Sequence, residues 1–270
     1  MVSKALCGGF AVLVLLGAAV PAHAIFTNGG FEQNSYASWT LGGGYNPGLS
    51  GSQPFTGASV QITAGSPGPS AIVGAISDPR APQIVLPRVG QYTAKINDEN
   101  GGALVTTLMQ SGQVTSADID PADGKPHIRF AFAPVLDDPN HSPEQQPYFY
   151  VVVKNTADNS VLFEQFAYSN QPGVNFLAGT GSWKYLPFQN VDAVLPNSAV
   201  GQTVELTAIA ADCSLGGHGG YVYLDGFGSA QVGGGGAAVG AVQPVPALDR
   251  LGLLILAGLC ATLGALAWRR

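Results

Sequence analysis

The sequence predicts an all-β domain, an antiparallel β-sandwich, between two apolar terminal segments. Short runs rich in β-branched and aromatic residues recur along the middle of the chain, and several alternate between apolar and polar residues with a period of two. Gly, Pro, Asn and Asp separate these runs at short intervals. No stretch of residues 25–230 shows the apolar period of an amphipathic helix, which disfavours an α/β fold.

The predicted strands follow one another in chain order, and the first ends near Trp39. In a later strand, Ile128, Phe130 and Phe132 share one face. Arg129 lies on the opposite face, which is the pattern of a sheet with one solvent-exposed side. The predicted strands lie in residues 31–41, 60–63, 83–86, 92–96, 104–110, 127–136, 148–154, 161–168, 183–188, 203–210 and 221–227.

Three segments without periodicity are predicted as long surface loops. Residues 42–57 and 64–82 are rich in Gly, Pro and Ser, and residues 137–147 are polar and bounded by proline. Residues 231–243 consist mainly of Gly and Ala, which is typical of a flexible linker. The sequence therefore predicts one folded domain at residues 25–230.

The charge balance excludes one class of partner. Residues 25–230 contain 16 acidic and 7 basic side chains, a net charge of −9, and no basic run. Nucleic acid is therefore not an expected partner. An acidic chain rich in Gly, Pro, Asn and Thr is typical of an extracellular β-protein, and such carboxylates often bind calcium.

Cysteine is scarce. Cys7 and Cys260 lie in the apolar termini, so Cys213 is the single cysteine of the domain. The fold cannot depend on an internal disulfide. Cys213 is either a small buried apolar residue or a thiol that pairs with another molecule, and no second cysteine indicates a metal or redox site.

Residues 1–24 have the features of a secretory signal peptide. Lys4 supplies the positive region, residues 5–19 are apolar, and the Ala-His-Ala sequence at 22–24 fits a cleavage site. We therefore expect signal peptidase to release a chain that starts at Ile25. An uncleaved membrane span is the alternative.

Residues 244–270 contain the second apolar segment. The run at residues 251–268 would be about 27 Å long as a helix, close to the thickness of the hydrocarbon core of a bilayer. Arg269 and Arg270 follow it and would keep that end in the cytoplasm. The sequence predicts a transmembrane helix at 251–268 and a domain exported to the cell envelope, the cell surface or the medium.

Two motifs near the ends of the domain carry a family resemblance. Residues 28–32 read NGGFE, and residues 219–227 read GGYVYLDGF. They resemble the opening and closing segments of galactose-binding-like jelly rolls, a group that includes many carbohydrate-binding modules. Residues 92–97 and 182–185 also lie where such modules place inner strands. The resemblance spans most of the domain and implies a jelly-roll sandwich.

The same resemblance implies a structural calcium ion that joins the first and last strands. Glu32 matches the acidic position of the opening motif, and Asp225 matches that of the closing strand. Calcium takes about six to eight oxygen ligands, to which Asp98 and Glu99 could also contribute. The alternative is that Glu32 is a solvated turn residue and Asp225 caps a strand end.

The C-terminal segment resembles the sorting signals of Gram-negative surface proteins. Pro246, Leu248, Asp249 and Arg250 precede the apolar run and the terminal arginines, and this order is closest to the class named IPTL-CTERM, although Asp249 and Arg250 replace its common Ser-Glu pair. Ala247 replaces the usual threonine, and the Pro-Glu-Pro motif of PEP-CTERM signals is absent. The resemblance implies processing by an exosortase-like or related protease, and a permanent membrane anchor is the alternative.

Aromatic residues are the candidates for sugar binding, since a pyranose ring packs its C–H face on a π surface. Tyr36 and Tyr45 lie near glycine-rich loop sequence and are the predicted ligand-binding residues. Trp39, Trp183 and Tyr185 are further aromatic candidates, and core packing is the favoured interpretation for both tryptophans.

No catalytic residue is assigned. The sequence has neither a Gly-x-Ser-x-Gly elbow nor a His-Glu-x-x-His motif. The glycine-rich residues 216–220, around His218, are interpreted as a tight turn. His141, Glu144, Asp137 and Asp138 share a loop, and two such carboxylates could perform glycosidase chemistry if they faced each other across a cleft.

The sequence therefore predicts a secreted, surface-sorted, non-catalytic β-sandwich, a binding or adhesin-like module with polysaccharide as the candidate ligand. Two alternatives stay open. An extracellular glycan hydrolase requires two carboxylates about 5–10 Å apart in a cleft. A purely structural envelope protein requires no ligand, and would have Tyr36 and Tyr45 packed or scattered.

Overall fold

The computed structural model describes residues 25–228, in which all strand pairs are antiparallel and the helices are single 3-10 turns. The strands are β1 Thr40–Tyr45, β2 Thr63–Ala64, β3 Ser70–Val73, β4 Ile76–Ser77, β5 Val85–Leu86, β6 Thr93–Ile96, β7 Leu104–Gln113, β8 Ile119–Asp120, β9 Lys125–Asp137, β10 Tyr148–Asn155, β11 Val161–Tyr168, β12 Leu177–Ala178, β13 Trp183–Tyr185, β14 Gln189–Val194, β15 Thr203–Ala211 and β16 Gly220–Gly228. The 3-10 turns are Gly57–Ser59, Ser116–Asp118, Pro143–Gln145 and Asn197–Ala199. The predicted all-β class is confirmed.

Two large sheets pack face to face as an antiparallel β-sandwich. The six-stranded sheet has the order β11-β10-β15-β7-β1-β2, and the eight-stranded sheet has the order β12-β13-β9-β16-β6-β3, with β14 and β8 also paired to β9. Most successive long strands alternate between the sheets, so that most hydrogen-bonded neighbours are distant in the sequence, whereas β10 and β11 pair as a hairpin within one sheet. For example, β15 pairs with β7, so that Thr203 lies opposite Gln113, which is far from it in the sequence.

The main core lies between the two sheets, where alternate residues of the long strands meet. Phe130 and Phe132 of β9 face Val151 of β10 and Leu206 of β15, and all four side chains are fully buried. Burial of each such side chain stabilises the fold by roughly 1.5–3 kcal/mol. The period of two seen in the sequence therefore identifies the inward faces correctly.

The outer face of the six-stranded sheet is covered by residues 46–62, which we call the first strap. Leu49 and Phe55 of the first strap pack on Tyr148, Tyr150 and other residues of the sheet. Gly57 lies directly against the Tyr150 ring, where an added Cβ would come within 2.3 Å of it. The predicted surface loop at 42–57 is thus partly wrong: its first residues belong to β1, and much of the rest forms a second, smaller core.

The outer face of the eight-stranded sheet is covered by residues 74–92, the second strap. Asp78 of this strap is buried and accepts hydrogen bonds from the hydroxyls of Tyr221 (2.8 Å) and Tyr223 (2.6 Å). Ile84 and Leu86 pack beside the same tyrosines. The prediction of a surface loop at 64–82 is also partly wrong, since it contains β3 and the start of this strap.

The segment before β1 differs from the predicted strand at 31–41. Asn28, Phe31, Asn34 and Ser38 have positive φ, so the chain runs through turns rather than an extended strand. Its backbone reaches the last strand, where Phe227 N donates to the carbonyl of Gly29 at 3.0 Å. The Phe26, Phe31, Trp39 and Phe227 rings pack together and join the two ends of the described chain.

Arg129 does not lie on a solvent-exposed face as predicted. Its side chain is buried, and its guanidinium pairs with Asp120 at 2.6 Å and with Asp192 at 3.0 Å. The ring nitrogens of His127 also contact the carboxylates of Asp192 and, at 3.1 Å, Asp123. The reason is β14, an unpredicted strand that pairs with β9 and brings Asp192 opposite Arg129. This network joins β8, β9 and β14.

Within residues 25–228, the structure contains no helix long and apolar enough to span a membrane. The predicted signal peptide at 1–24, the linker at 231–243 and the sorting segment at 244–270 all lie outside the described residues.

Candidate functional site

A groove of about 590 Å³ runs along the open side of the sandwich, beside the edge strand β11. The first strap forms one wall, the β13–β14 connection of the other sheet forms the opposite wall, and the segment after β11 forms its end. The lining residues are Phe55, Thr56, Gly57, Glu164, Gln165, Phe166, Ala167, Gln171, Pro172, Gly173, Val174, Asn175, Leu177, Leu186, Pro187 and Gln189.

The groove combines an apolar surface with a few polar groups, which is the usual composition of a ligand site. The half-buried Phe166 contributes an aromatic ring on the outer side of β11. Gln165 and Asn175 line the groove, and their side chains make no hydrogen bond to another described residue. These two amides can therefore donate to and accept from a bound molecule without breaking an internal bond.

Glu164 supplies the negative charge of the groove. Its Oε2 accepts a hydrogen bond from the Tyr150 hydroxyl at 3.0 Å. Burial and the neighbouring carboxylate raise the pKa of Tyr150, which stays a protonated donor. The tyrosine holds one oxygen of Glu164 and leaves the other available to a ligand.

The carboxylates expected of a glycan hydrolase are not assembled in this groove. Among its lining residues Glu164 alone is acidic. In the loop at 137–147, Asp137 accepts a hydrogen bond from Ser182, and Glu144 accepts one from Ser142 at 2.7 Å. These residues do not line the groove, so the described residues offer no acid and base pair there.

Tyr36 is packed into the fold rather than presented to a ligand. Its ring meets the edge of Phe31 at 6.1 Å between centroids. Its hydroxyl donates to the carbonyls of Lys95 (2.8 Å) and Ala71 (2.9 Å), which pair β6 with β3. Burial raises the pKa of Tyr36. This placement gives Tyr36 a structural role, and its predicted ligand contact stays a prediction.

Tyr45 is exposed, with 48% of its surface accessible, but it lies far from the groove. It ends β1, four strands from β11 in the same sheet, a separation of about 19 Å at the usual strand spacing. Its ring covers Gly65, and no other described aromatic ring packs with it. The structure therefore does not bring Tyr36 and Tyr45 together with the groove.

Trp39, Trp183 and Tyr185 belong to the hydrophobic cores. Core packing was the favoured interpretation for the two tryptophans. Trp39 packs among the aromatic rings that join the chain ends. Trp183 and Tyr185 lie under the second strap, where Trp183 packs against Tyr221 at 5.6 Å between ring centroids.

Glu32 and Asp225 contact the same short loop, residues 88–92. Both oxygens of Glu32 lie 3.0 Å from Gln91 N, which donates to them. Oδ2 of the fully buried Asp225 accepts from Arg88 N at 2.9 Å and Val89 N at 3.1 Å. Burial raises the pKa of Asp225 to about 6, although these N–H donors oppose the shift.

One oxygen at this place is left without a hydrogen bond. Oδ1 of Asp225 is buried and has no hydrogen-bond partner among the described residues. A buried unpaired carboxylate oxygen is costly unless a cation or donor binds it. A cation could bind this oxygen of Asp225, whereas both oxygens of Glu32 accept from Gln91 N.

Asp212 is a further buried carboxylate, which the sequence did not single out. It accepts hydrogen bonds from Asn97 Nδ2 at 2.8 Å, Leu104 N at 3.0 Å and Gly220 N at 3.3 Å. Burial raises its pKa to about 7. These bonds join the start of β7 to the β15–β16 connection, which is a structural role.

Sequence reasoning missed the residues of the groove. It predicted β11 correctly, but nothing in that strand shows that it lies at a sheet edge. The available signal was the polar pair Glu164 and Gln165 within an otherwise apolar strand, followed by the turn-rich residues 169–175.

No protein-family model matches the chain, and no similar sequence was found among curated proteins. Similar solved structures include the enzymatically active domain of tailspike protein 4 of bacteriophage CBA120, with 10% identity and a TM-score of 0.38 over 76% of this chain and 21% of that chain. A second is a carbohydrate-binding module of the β-sandwich superfamily, with 12% identity and a TM-score of 0.35 over 78% of this chain and 63% of that chain. A third is CBM27-1 of Caldicellulosiruptor saccharolyticus in complex with mannohexaose, with 13% identity and a TM-score of 0.33 over 59% of this chain and 80% of that chain. Similarity at this level does not assign a ligand.

Proposed function

We propose that this protein is a non-catalytic, polysaccharide-binding module of the galactose-binding-like jelly-roll type, and that the groove beside β11 is its binding site. The observation that carries the proposal is the combination of the Phe166 ring with the free amides of Gln165 and Asn175 in one open groove. A sugar ring packs on an aromatic face, while its hydroxyls need donors and acceptors at the rim.

The shape of the groove favours a chain over a single small molecule. It is open along β11 rather than closed, and it is lined by residues of both sheets. A polysaccharide can lie along such a groove with several of its sugar rings in contact. Because binding by one shallow site is weak, many copies on a surface would supply avidity.

The test is polysaccharide binding by the full-length protein, measured by affinity electrophoresis against a panel of soluble glycans. We expect at least one glycan to retard the protein. The double variant Gln165→Ala and Asn175→Ala should lose about tenfold in affinity or more, since each lost hydrogen bond contributes about 0.5–1.5 kcal/mol.

Two matched controls keep this test specific. Tyr45→Ala removes the exposed aromatic residue at the far edge of the sheet, and Gln33→Ala removes an exposed amide outside the groove. Both should bind as the wild type does. Loss of binding in Tyr45→Ala with full binding in the double variant would place the site at β1 and contradict the proposal.

A purely structural envelope protein is the second candidate function. This candidate is favoured because the two straps cover the outer faces of the sheets. In addition, Tyr36 is packed in the fold, and Tyr45 has no other described aromatic ring beside it. Absence of glycan retardation together with self-assembly of the purified protein would support this candidate instead.

We also propose a structural calcium ion at Glu32 and Asp225. When bound, it would neutralise the buried carboxylate and hold the loop at 88–92 between the first and last segments of the domain. Calcium should raise the melting temperature of the chelator-treated full-length protein. Asp225→Asn, which removes the charge but keeps the shape, should abolish that rise, and an unchanged melting temperature in the wild type would exclude the ion.

Delivery to the envelope or cell surface is the remaining part of the proposal. It rests on the signal peptide at 1–24 and the segment at 244–270, with signal peptidase and an exosortase-like protease as processing partners. The helix at 251–268 would attach the precursor to the membrane until the second cleavage.

A further inference from the structure

One cysteine and two histidines meet at one end of the sandwich. Cys213 and His218 lie in the connection between β15 and β16, and His141 lies in the connection between β9 and β10. One potential ligand atom from each of the three side chains lies within 4.8 Å of the other two. Residues 25–228 contain one cysteine and three histidines, and all of these residues except His127 lie in this cluster.

We propose that His141, Cys213 and His218 form a binding site for a thiophilic transition-metal ion of the zinc type. The Cys213 Sγ lies 3.6 Å from Nδ1 of His218. A tetrahedral zinc ion with Zn–S of about 2.3 Å and Zn–N of about 2.0–2.1 Å separates its sulfur and nitrogen ligands by about 3.5–3.6 Å. The two atoms therefore already stand at the spacing that one ion requires.

The backbone fixes two of these ligands relative to each other. Cys213 N donates to the carbonyl of His218 at 2.9 Å, which closes the turn between β15 and β16. The β9–β10 connection, which carries His141, is joined to this turn by a hydrogen bond from Ser214 N to the carbonyl of Gln145 at 3.1 Å. The rings of His141 and His218 lie 5.1 Å apart between centroids. On metal binding, a ring nitrogen of His141 would move from within 4.8 Å of the other two ligand atoms to the distance that one ion requires.

Two buried polar atoms here have no hydrogen bond, which is the second observation that indicates a ligand. Nδ1 of His141 is buried and has no partner among the described residues. Gln146 is 4% exposed, and its amide nitrogen donates to the carbonyl of His141 at 3.1 Å, while its Oε1 has no described partner. Buried polar atoms normally find a partner, and a bound ion would supply one.

The donor set selects the kind of metal. A thiolate with two imidazoles suits zinc and related late transition metals, whereas calcium takes oxygen ligands only. The site is therefore chemically distinct from the one proposed at Glu32 and Asp225. On binding, the Cys213 thiol gives its proton to solvent, and the Zn–S bond takes its place. The ion would join the β9–β10 and β15–β16 connections, which no disulfide can do in this domain.

The test uses the full-length protein, stripped of metal with a chelator and titrated with Co²⁺. We expect one Co²⁺ per chain, with the charge-transfer absorption of a cobalt–thiolate bond, and displacement of that absorption by Zn²⁺. Cys213→Ser should abolish the absorption. His141→Gln and His218→Gln should weaken binding by more than about 100-fold, above the 10- to 100-fold loss typical of outer-shell partners.

His127→Gln is the matched control, since it removes the third described histidine and should leave the absorption and affinity unchanged. Circular dichroism establishes that each variant is folded. If the buried Cys213→Ser variant does not fold, the partly exposed His141→Gln variant still decides the question. Co²⁺ binding without thiolate absorption in the wild type, or unchanged affinity in His141→Gln, would overturn the proposal.

Discussion

At the scale of single residues, the loop at 88–92 shows how one glycine permits a whole set of contacts. Gly90 has a φ of +65°, and a Cβ at this position would lie 2.1 Å from Oε1 of Glu32. The absence of a side chain lets Glu32 reach the backbone of Gln91. Asp225 holds the other side of the same loop.

We expect Gly90→Ala to destabilise the protein more than Gly124→Ala does. Both glycines have positive φ, +65° and +71°, so alanine at either position costs about 1 kcal/mol of backbone strain. Nothing lies within 4 Å of a Cβ at Gly124, whereas at Gly90 the Glu32 carboxylate must leave. The lost hydrogen bonds add about 1–2 kcal/mol.

Denaturant unfolding of the full-length variants measures this difference. Equal free energies of unfolding for the two variants would show that Glu32 contributes nothing through its contact with the loop.

At the scale of elements, the two straps explain why the strands are more buried than an alternating pattern predicts. In β9, all residues after Lys125 are buried, although the pattern predicted one solvent-exposed face. The first strap covers Tyr148 and Tyr150 of β10, and the second covers the tyrosines of β16. The outer residues are aromatic because they have a layer to pack against.

The contact between Gly57 and Tyr150 tests the first strap. Gly57→Ala should displace the strap or the Tyr150 ring, because the added Cβ would lie 2.3 Å from ring atoms. We expect a lower free energy of unfolding by roughly 1–3 kcal/mol, the usual cost of overpacking. Weaker glycan binding should accompany it, since Gly57 also lines the groove.

Gly74→Ala is the control for this variant, because the nearest atom to its Cβ is 3.8 Å away. It should have nearly the stability of the wild type. If Gly57→Ala is equally stable, the first strap does not pack on β10 as described.

At the scale of the whole molecule, the ends of the described chain meet without a disulfide. Gly29 and Phe227 are hydrogen-bonded, and four aromatic rings surround that contact. The free cysteine of the domain is buried. Packing and the hydrogen-bonded sheets therefore hold the described domain together without an internal disulfide.

We expect a protease to remove the C-terminal segment from the whole molecule. If the segment is a sorting signal, the mature surface form lacks the peptide that contains Trp268, Arg269 and Arg270. Mass spectrometry of surface material should not detect that peptide, while the precursor in membranes retains it. Its recovery from mature surface protein would instead favour a permanent anchor at 251–268.

The sequence by itself determined the all-β class, the position of most long strands and the inward face of the strand that contains Phe130. β11 at Val161–Tyr168 was predicted with its observed bounds, and Phe130 and Phe132 were placed correctly in the core. These features depend on local periodicity, because a strand that buries one face must place apolar residues at every second position.

Tertiary structure alone decided the groove, the straps and the cluster of His141, Cys213 and His218. Each joins residues that are far apart in the sequence, such as His141 and Cys213, through the order of strands in the sheets. Strand order depends on the packing of all the elements together, so no local pattern specifies which strand lies at an edge or which loops meet. For that reason the sequence pointed to Tyr36 and Tyr45, whereas the structure places Gln165 and Asn175 in the groove.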